Sequence, residues 1–334
     1  MTQPASDTLP IIPLREAGDI AGVIATERGR LDALIKAAER SYPEAAIALG
    51  DRISRRWLEK ADNPYLDEIE TVAQALGRPG AFFLNLSYEW SCTCSVGPAP
   101  GGGSRLTRVL DWPFDGLGAQ ILALRQLGPA GDWINLTWPG FTGSIQGLAP
   151  GRFAAAFNQA PLRRRSPSKI IDWSLDRLGL WRSRSLPPGH LLRRVFEEAR
   201  DFAEARKLLS EEPIAMPAIF SLAGPGAEDQ TVIERLEDHA EIHDGPQVAA
   251  NHWLGPMPRA RPRGTDSEGR ARLMREQAAT AGPDLSWLKP PVLNETTRLA
   301  VYAEAGNGGR LVAQGFEASG PATAVTDLMS SIHA

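Results

Sequence analysis

Apolar side chains recur every three or four residues through the first eighty residues, the spacing of amphipathic helices. This spacing predicts a helix over residues 19–40, a second that begins after Pro43, and a third from Asn63 to Gly77. Pro favours the first turn of a helix, and Gly is frequent just after the last. Residues 1–15 are predicted to be an extended arm. The chain therefore begins with a mostly helical segment.

The pattern changes after Cys92 to short apolar runs separated by Gly- and Pro-rich turns, which is typical of β-strands. Adjacent short strands joined by tight turns indicate an antiparallel sheet. Predicted strands occupy residues 120–127, 133–138, 141–147, 153–157, 218–222, 231–237, 297–303 and 311–316. Predicted helices occupy residues 162–184, 190–209, 267–278 and 324–332.

Composition narrows the class of protein. The 334 residues, 43% of them hydrophobic, are enough for one large domain or two small ones. The net charge of −4 gives no indication of the basic surface that nucleic-acid-binding proteins carry. We see neither a signal peptide nor an apolar run of membrane-spanning length. The two cysteines are too close in sequence to form a disulfide framework, so we expect a cytoplasmic protein in a reducing compartment.

Candidate chemistry concentrates around the two cysteines, Cys92 and Cys94. The next predicted strand carries Arg108 and Asp111. A guanidinium group favours thiolate over thiol, and a carboxylate can orient a proton-accepting group, so these are the parts of a cysteine nucleophile. The alternative is a small buried cysteine beside an ordinary strand.

The motifs resemble one family of enzymes. Asn-Leu-Ser-Tyr-Glu at residues 85–89, Cys-Thr at 92–93 and the Arg-x-x-Asp at 108–111 resemble the acid ceramidase and N-acylethanolamine acid amidase group of N-terminal-nucleophile hydrolases. Bile-salt (choloylglycine) hydrolases and penicillin V acylases are its wider relatives. The resemblance implies an α+β fold, a four-layer αββα sandwich with mainly antiparallel sheets. It also implies a helical N-terminal segment over residues 1–91 and a catalytic part over 92–334.

The same resemblance implies a mechanism without metal or cofactor. The precursor would cut itself at the Ser91–Cys92 bond, which frees an α-amine on Cys92. An α-amine titrates at about 7.7–8.0 and a thiol at about 8.5, so the amine can act as the base for its own thiol. Arg108 would lie against the sulfur, Asp111 would hold the α-amine, and Asn251 would complete the oxyanion hole.

Three further residues are candidates for the site. Asn158 and Arg270 match positions on the substrate side of the family's cleft, and the alternatives are a turn asparagine and a surface arginine. His252 follows Asn251 directly. Because neighbouring side chains on a strand point to opposite faces, we interpret His252 as structural.

The sequence thus predicts a cysteine amidohydrolase that cleaves linear, non-peptide N-acyl amides through a thioester on Cys92. An acyltransferase and a non-catalytic binding protein remain alternatives, as does a redox or metal site that uses Cys92 and Cys94. A fatty or aromatic acyl group is plausible, and no oligomeric state is predicted. Residues 162–184 are predicted to form a basic amphipathic helix that lies on an anionic membrane surface, covers a lipid-binding cleft or, as we favour, packs its apolar face on the core.

Overall fold

The computed structural model describes residues 9–86 and 90–330 of the chain. Its α-helices are α1 Ile20–Thr26, α2 Arg28–Glu39, α3 Glu44–Lys60, α4 Leu66–Leu76, α5 Ala81–Leu84, α6 Lys169–Arg182, α7 Pro188–Glu198, α8 Phe202–Glu211 and α9 Ser267–Gln277. Its strands are β1 Leu14–Glu16, β2 Ser91–Pro98, β3 Ser104–Asp111, β4 Leu122–Gly128, β5 Gly131–Thr137, β6 Gln146–Ala149, β7 Phe153–Gln159, β8 Leu162–Arg163, β9 Ala218–Ala223, β10 Gln230–Arg235, β11 Ala240–Asp244, β12 Gln247–Ala249, β13 Ala260–Arg261, β14 Thr297–Glu304, β15 Arg310–Glu317, β16 Gly320–Pro321 and β17 Thr326–Asp327.

Two large sheets form the centre of the molecule. One has the strand order β1-β4-β5-β6-β7-β9-β10-β11, and the other has the order β12-β2-β3-β14-β15-β16 with β17 beside β15. Strands pair antiparallel except β1 and β4, which are parallel. The α+β fold with mainly antiparallel sheets is therefore confirmed.

The sheets stack on one another and helices cover their other faces. The largest core cluster lies between the sheets and contains side chains of both, including Cys92 and Phe157. On the side of the first sheet, Phe196 of α7 stacks on Trp133 at 4.6 Å between ring centres. On the side of the second, Met274 of α9 packs with Val109 of β3. This gives the helix–sheet–sheet–helix order that the resemblance implied.

A buried polar network joins the N-terminal helices to α7 and to the loop before β6. Asn63, before α4, lies 2.8 Å from Nδ1 of His190 on α7. The other ring nitrogen of His190 lies 3.2 Å from the hydroxyl of Thr142, which in turn donates to Asn85 at 2.9 Å. All four residues are buried, and β1 adds a strand from the same segment to the first sheet. The division at residues 91 and 92 depends on cleavage and stays a prediction.

Several element predictions were wrong in detail: the strand over 141–147 begins only at Gln146, and the helix over 162–184 begins only at Lys169. The helix over 19–40 is broken at Glu27, whose buried carboxylate pairs with Arg15 and Arg30. The helix over 190–209 is two helices, because Asp201 caps a new one by accepting from the backbone N–H of Glu204. The helix over 324–332 is replaced in the described residues by β17, which pairs with β15. Within the predicted arm, residues 14–16 form β1, and residues 1–8 lie outside the described part.

Helix α6 also differs from the interpretation that we favoured. Leu180 is buried among the N-terminal helices, but most of the other apolar side chains of α6 do not pack on the core: Ile170 is 77% exposed and Trp181 44% exposed. Residues Ile171, Trp173, Leu175 and Leu178 are likewise at least 40% exposed. No helix in residues 9–86 and 90–330 is long and apolar enough to cross a membrane.

Candidate active site

The hairpin of β2 and β3 positions the predicted nucleophile. Its register places Ser91 opposite Asp111 and Cys94 opposite Arg108. Because side chains alternate along a strand, the hairpin has two distinct faces. The inner face, with Cys92, Cys94 and Arg108, points toward the first sheet. The outer face, with Thr93 and Asp111, points toward α9.

Cys92 and Arg108 meet on the inner face. The Nη2 of Arg108 donates to Sγ of Cys92 at 2.8 Å. The same guanidinium donates to the carbonyl oxygens of Ile145 at 2.6 Å and Phe157 at 2.9 Å, which fixes its position. Burial raises the pKa of the Cys92 thiol, and Arg108 opposes this rise. Arg108 therefore offers a fixed positive charge to any thiolate that forms on Cys92.

Asn251 lies beside Cys92, just beyond β12, which pairs with β2. Its Oδ1 accepts from the backbone N–H of Cys92 at 2.7 Å, and its Nδ2 donates to the carbonyl of Gln159 at 2.7 Å. The carboxamide of Asn251 thus bridges the Cys92 strand and the end of β7. It adjoins the nitrogen that cleavage would convert into an α-amine.

Arg270 and Asp111 form a buried ion pair on the outer face. The Nη1 of Arg270 donates to the carbonyl of Cys92 at 2.9 Å, to Oγ1 of Thr93 at 2.8 Å and to Oδ2 of Asp111 at 3.2 Å. Its Nη2 donates to Oδ1 of Asn251 at 3.2 Å. With 1% of its surface exposed, Arg270 is not the surface arginine of the alternative interpretation. These contacts make it a support for the backbone of Cys92, and direct substrate binding stays a prediction.

Asp111 is held by three groups. Besides Arg270, its Oδ1 accepts from the Thr297 hydroxyl at 2.9 Å and from the Asn294 amide at 3.2 Å. Burial raises the pKa of Asp111, and Arg270 and the two donors oppose this rise. In the uncut chain the Cys92 N–H donates to Asn251. The predicted bond from Asp111 to the α-amine therefore concerns the cut chain and stays a prediction.

Asn158 on β7 links the two sheets near Asn251. Its Nδ2 donates to the carbonyl oxygens of Ala249 at 3.1 Å and Ala250 at 3.2 Å. Its Oδ1 is buried and has no hydrogen-bond partner among the described residues. The turn interpretation is wrong, because Asn158 is the penultimate residue of a strand. Its predicted role in substrate binding stays a prediction.

Cys94 shares the inner face with Cys92. Burial raises the pKa of its thiol to about 12. Residues two apart on a strand have Cβ atoms about 6.6 Å apart, whereas a disulfide needs about 3.8 Å. A Cys92–Cys94 disulfide would thus require the strand to distort. Within residues 9–86 and 90–330, no group of three or more His, Cys, Asp or Glu side chains could hold a metal ion.

Two cavities adjoin the carbonyls that bind Arg108 and Asn251. The first is lined almost entirely by apolar side chains. Ile145, whose carbonyl binds Arg108, lines it together with Trp112, Trp138, Phe83 and Leu34. The second cavity is lined by Gln159, whose carbonyl binds Asn251, and by charged side chains that include Arg163, Arg165, Asp176 and Glu237.

Four further residues support the site, and the sequence indicated one of them, Ser267, through the Ser-x-x-Arg phrase that it forms with Arg270. Thr93, Asn294 and Thr297 contact Arg270 or Asp111, and Ser267 accepts from the backbone N–H of Asn251 at 2.9 Å. Ser267 and Arg270 lie one turn apart on α9, so the Ser-x-x-Arg phrase was the available signal. Nothing in the local sequence distinguishes Asn294 and Thr297, which reach Asp111 only through the fold. Residues 87–89 of the first motif lie outside the described residues.

Comparison with known proteins gives the fold. An N-acylethanolamine-hydrolyzing acid amidase ortholog from Caenorhabditis elegans superposes with a TM-score of 0.51 over 64% of this chain and 93% of its own, at 18% identity. The chain has the fold of an N-terminal-nucleophile hydrolase. Penicillin V acylase from Agrobacterium tumefaciens also matches, with 12% identity, 67% of this chain, 83% of its own and a TM-score of 0.38.

Sequence comparison agrees with this fold over a short stretch. Acid ceramidase from Pan troglodytes is 29% identical over 100 residues, which are 30% of this chain and 24% of acid ceramidase. The match therefore spans about a quarter of that relative. No family model matches the chain. The predicted resemblance to the acid ceramidase and N-acylethanolamine acid amidase group is confirmed.

Proposed function

We propose that this protein is a cysteine amidohydrolase that matures by cutting itself at Ser91–Cys92 and then hydrolyses linear N-acyl amides. One observation carries the proposal. The Cys92 thiol accepts from Arg108 at 2.8 Å while the Cys92 backbone nitrogen is held by Asn251 at 2.7 Å. Thiol, cation and carboxamide thus meet around one residue, whose nitrogen becomes the base after cleavage.

Maturation uses the thiol of Cys92 against its own chain. The sulfur adds to the carbonyl carbon of Ser91, and the C–N bond to Cys92 breaks as its nitrogen takes a proton. The resulting thioester is hydrolysed by water, which releases the carboxylate of Ser91 and the free thiol. Arg108 stabilises negative charge on sulfur before the attack. Arg270 holds the carbonyl of Cys92 and so restrains the backbone beside the bond that breaks.

Substrate hydrolysis repeats this chemistry on an external amide. The new α-amine accepts the thiol proton, the sulfur attacks the amide carbonyl, and the ammonium group protonates the leaving amine. Water then releases the acid from the thioester. One hydrogen of the Asn251 amide donates to Gln159, and we infer that the second stabilises the oxyanion together with backbone N–H groups.

The two cavities support an apolar acyl group and a polar amine. The cavity beside Ile145 is lined by aliphatic and aromatic side chains, which suits an aliphatic or aromatic acyl chain. The charged cavity beside Gln159 suits a polar head group. This division resembles the chemistry of the relatives named as hydrolysing N-acylethanolamines or ceramide.

Intact mass of the purified protein tests maturation. We expect two fragments that meet at Ser91–Cys92, and N-acyl amides of increasing chain length should then be hydrolysed. Cys92→Ala should remove both cleavage and hydrolysis. Retained hydrolysis in that variant would overturn the proposal. If an added amine captures the acyl group faster than water does, the enzyme is an acyltransferase.

We also propose that α6 contacts an anionic membrane surface. Six of its apolar side chains are at least 40% exposed, and Arg164, Arg182 and Arg184 flank them. Exposed apolar and basic side chains on one short helix match the composition of interfacial helices. Neutralising these three arginines to Gln should weaken binding to phosphatidylserine vesicles by about tenfold or more. The matched control neutralises Arg200, Arg272 and Arg310, and equal loss in both variants would exclude this role for α6.

A further inference from the structure

We propose that His252 and Ser267 act as a positioning pair that holds Asn251 in its reactive place. The proposal rests on the proposed function, because it concerns how Asn251 serves that reaction. Oγ of Ser267 lies 2.9 Å from the backbone nitrogen of Asn251 and 2.8 Å from Nδ1 of His252. A histidine outside the cleft thus reaches the reactive carboxamide through one hydroxyl.

The donor and the acceptor in each hydrogen bond of the pair can be assigned. The backbone N–H of Asn251 can only donate, so Ser267 accepts from it. The remaining proton of Ser267 then has one acceptor among the described residues, Nδ1 of His252. This assigns His252 the neutral form with its proton on Nε2. Protonation of Nδ1 would leave two donors facing Ser267 and its own hydroxyl proton without an acceptor.

The start of α9 makes the pair rigid. Asp266 adopts a left-handed backbone (φ 43°) and caps the helix by accepting from Gly269 at 3.0 Å. Ser267 is the first residue of α9, and Arg270 one turn later donates to the side chain of Asn251. Helix α9 therefore contacts Asn251 twice, through Ser267 at its backbone and through Arg270 at its carboxamide.

The charges around His252 come from two elements. Glu268, Arg270 and Arg275 face it from α9, and Glu234 faces it from β10. Glu234 also bonds His243 of β11 at 3.0 Å and the backbone N–H groups of Leu254 and Gly255, just after His252. Burial, the largest influence, lowers the pKa of His252 below 6.5. His252 is therefore neutral, and the pair intact, until the pH falls through that lowered value.

The test compares variants that keep or remove the acceptor. His252→Asn retains an acceptor oxygen near the place of Nδ1 but does not titrate. His252→Phe and Ser267→Ala break the pair. We expect these two to lower kcat about tenfold with KM within about twofold. We expect His252→Asn to keep kcat within about threefold and to lose the acidic fall in its pH profile. His239→Asn, at an exposed histidine, is the control.

Two readouts separate this proposal from the function on which it rests. If the wild-type chain neither cuts itself nor hydrolyses amides, the proposed function fails. Imidazole nitrogen NMR of the full chain then still tests the pair, and a proton on Nδ1 of His252 at neutral pH would overturn it. Given an active enzyme, unchanged kcat and pH profile in His252→Phe would also overturn it.

Discussion

The two faces of the β2–β3 hairpin do different work with similar residues. A buried arginine lies next to Cys92 on each face, Arg108 on the inner face and Arg270 against the outer face. Arg108 contacts the thiol and two backbone carbonyls but has no carboxylate in ion-pair contact among the described residues, whereas Arg270 pairs with Asp111. The positive charge of Arg108 is thus next to the sulfur of Cys92, where it can stabilise a thiolate. The neutralised charge holds the backbone.

The largest expected effect separates the two cysteines of the inner face. Cys92→Ser should lower hydrolysis by on the order of a thousandfold or more, because the nucleophile is replaced by a far weaker one. The melting temperature should change little. Cys94→Ala is the matched control on the same face and should retain self-cleavage. Loss of cleavage in both variants, measured by intact mass, would show that the inner face requires both thiols.

A change on the outer face should act first on stability. Arg270→Met leaves Asp111 buried without its cation, which typically costs about 3–5 kcal/mol in the free energy of unfolding. Urea unfolding measures this cost. Burial raises the pKa of Asp111 in the folded state, so charging it opposes folding. The loss of unfolding free energy in Arg270→Met should therefore grow as the pH rises through the pKa of Asp111, and it should shrink at lower pH.

A double variant tests whether the ion pair explains this deficit. Asp111→Asn combined with Arg270→Met removes both charges together, so much of the lost stability should return. A double variant as unstable as Arg270→Met alone would contradict the assignment. The cost would then come from the other partners of Arg270.

The rate of thiol alkylation should also distinguish Cys92 from Cys94, with a smaller effect. Burial raises the pKa of Cys94 to about 12, so its thiol is protonated at neutral pH and should react slowly with iodoacetamide. After cleavage, the α-amine and Arg108 should make Cys92 the faster of the two by about tenfold or more. Peptide mapping of alkylated protein checks this order. Faster labelling of Cys94 would contradict the assignment of the nucleophile.

The smallest effect concerns a hydroxyl pair on the outer face. Oγ of Ser95 and Oγ1 of Thr107 lie 2.7 Å apart in the core. Thr107→Val should cost about 1 kcal/mol of unfolding free energy, because Ser95 loses its buried partner. Adding Ser95→Ala should return part of that loss. Hydrolysis should be unchanged in both variants, since neither hydroxyl touches the inner face.

The sequence predicted which residues lie near Cys92 better than it predicted which face of the hairpin each side chain occupies. The spacing of Cys92, Arg108 and Asp111 predicted adjacent strands, and β2 and β3 do pair. Which side chain faces which layer depends on the register, which the turn between the strands sets. Arg270 and Asn251 arrive from distant parts of the chain, so only the resemblance identified them.

The errors in secondary structure have physical causes. Thr326 lies in a segment with helical periodicity, yet it pairs with Ala313 of β15, so tertiary pairing prevailed over local preference. The break before α8 had a local signal, because Asp201 and Glu204 have the spacing of a helix start. The exposed apolar side of α6 had none, since periodicity does not say what a helix packs against.

The network of Asn63, His190, Thr142 and Asn85 has a consequence for refolding. Before cleavage, Asn63 and Asn85 belong to the same polypeptide as Thr142 and His190, so the contacts between them do not depend on protein concentration. After cleavage, the same contacts join two polypeptides, so unfolding releases two molecules and becomes dependent on protein concentration. The proposed cut thus turns a reversible folding equilibrium into an association equilibrium. Dilution alone would then lower the midpoint of thermal unfolding of the mature protein.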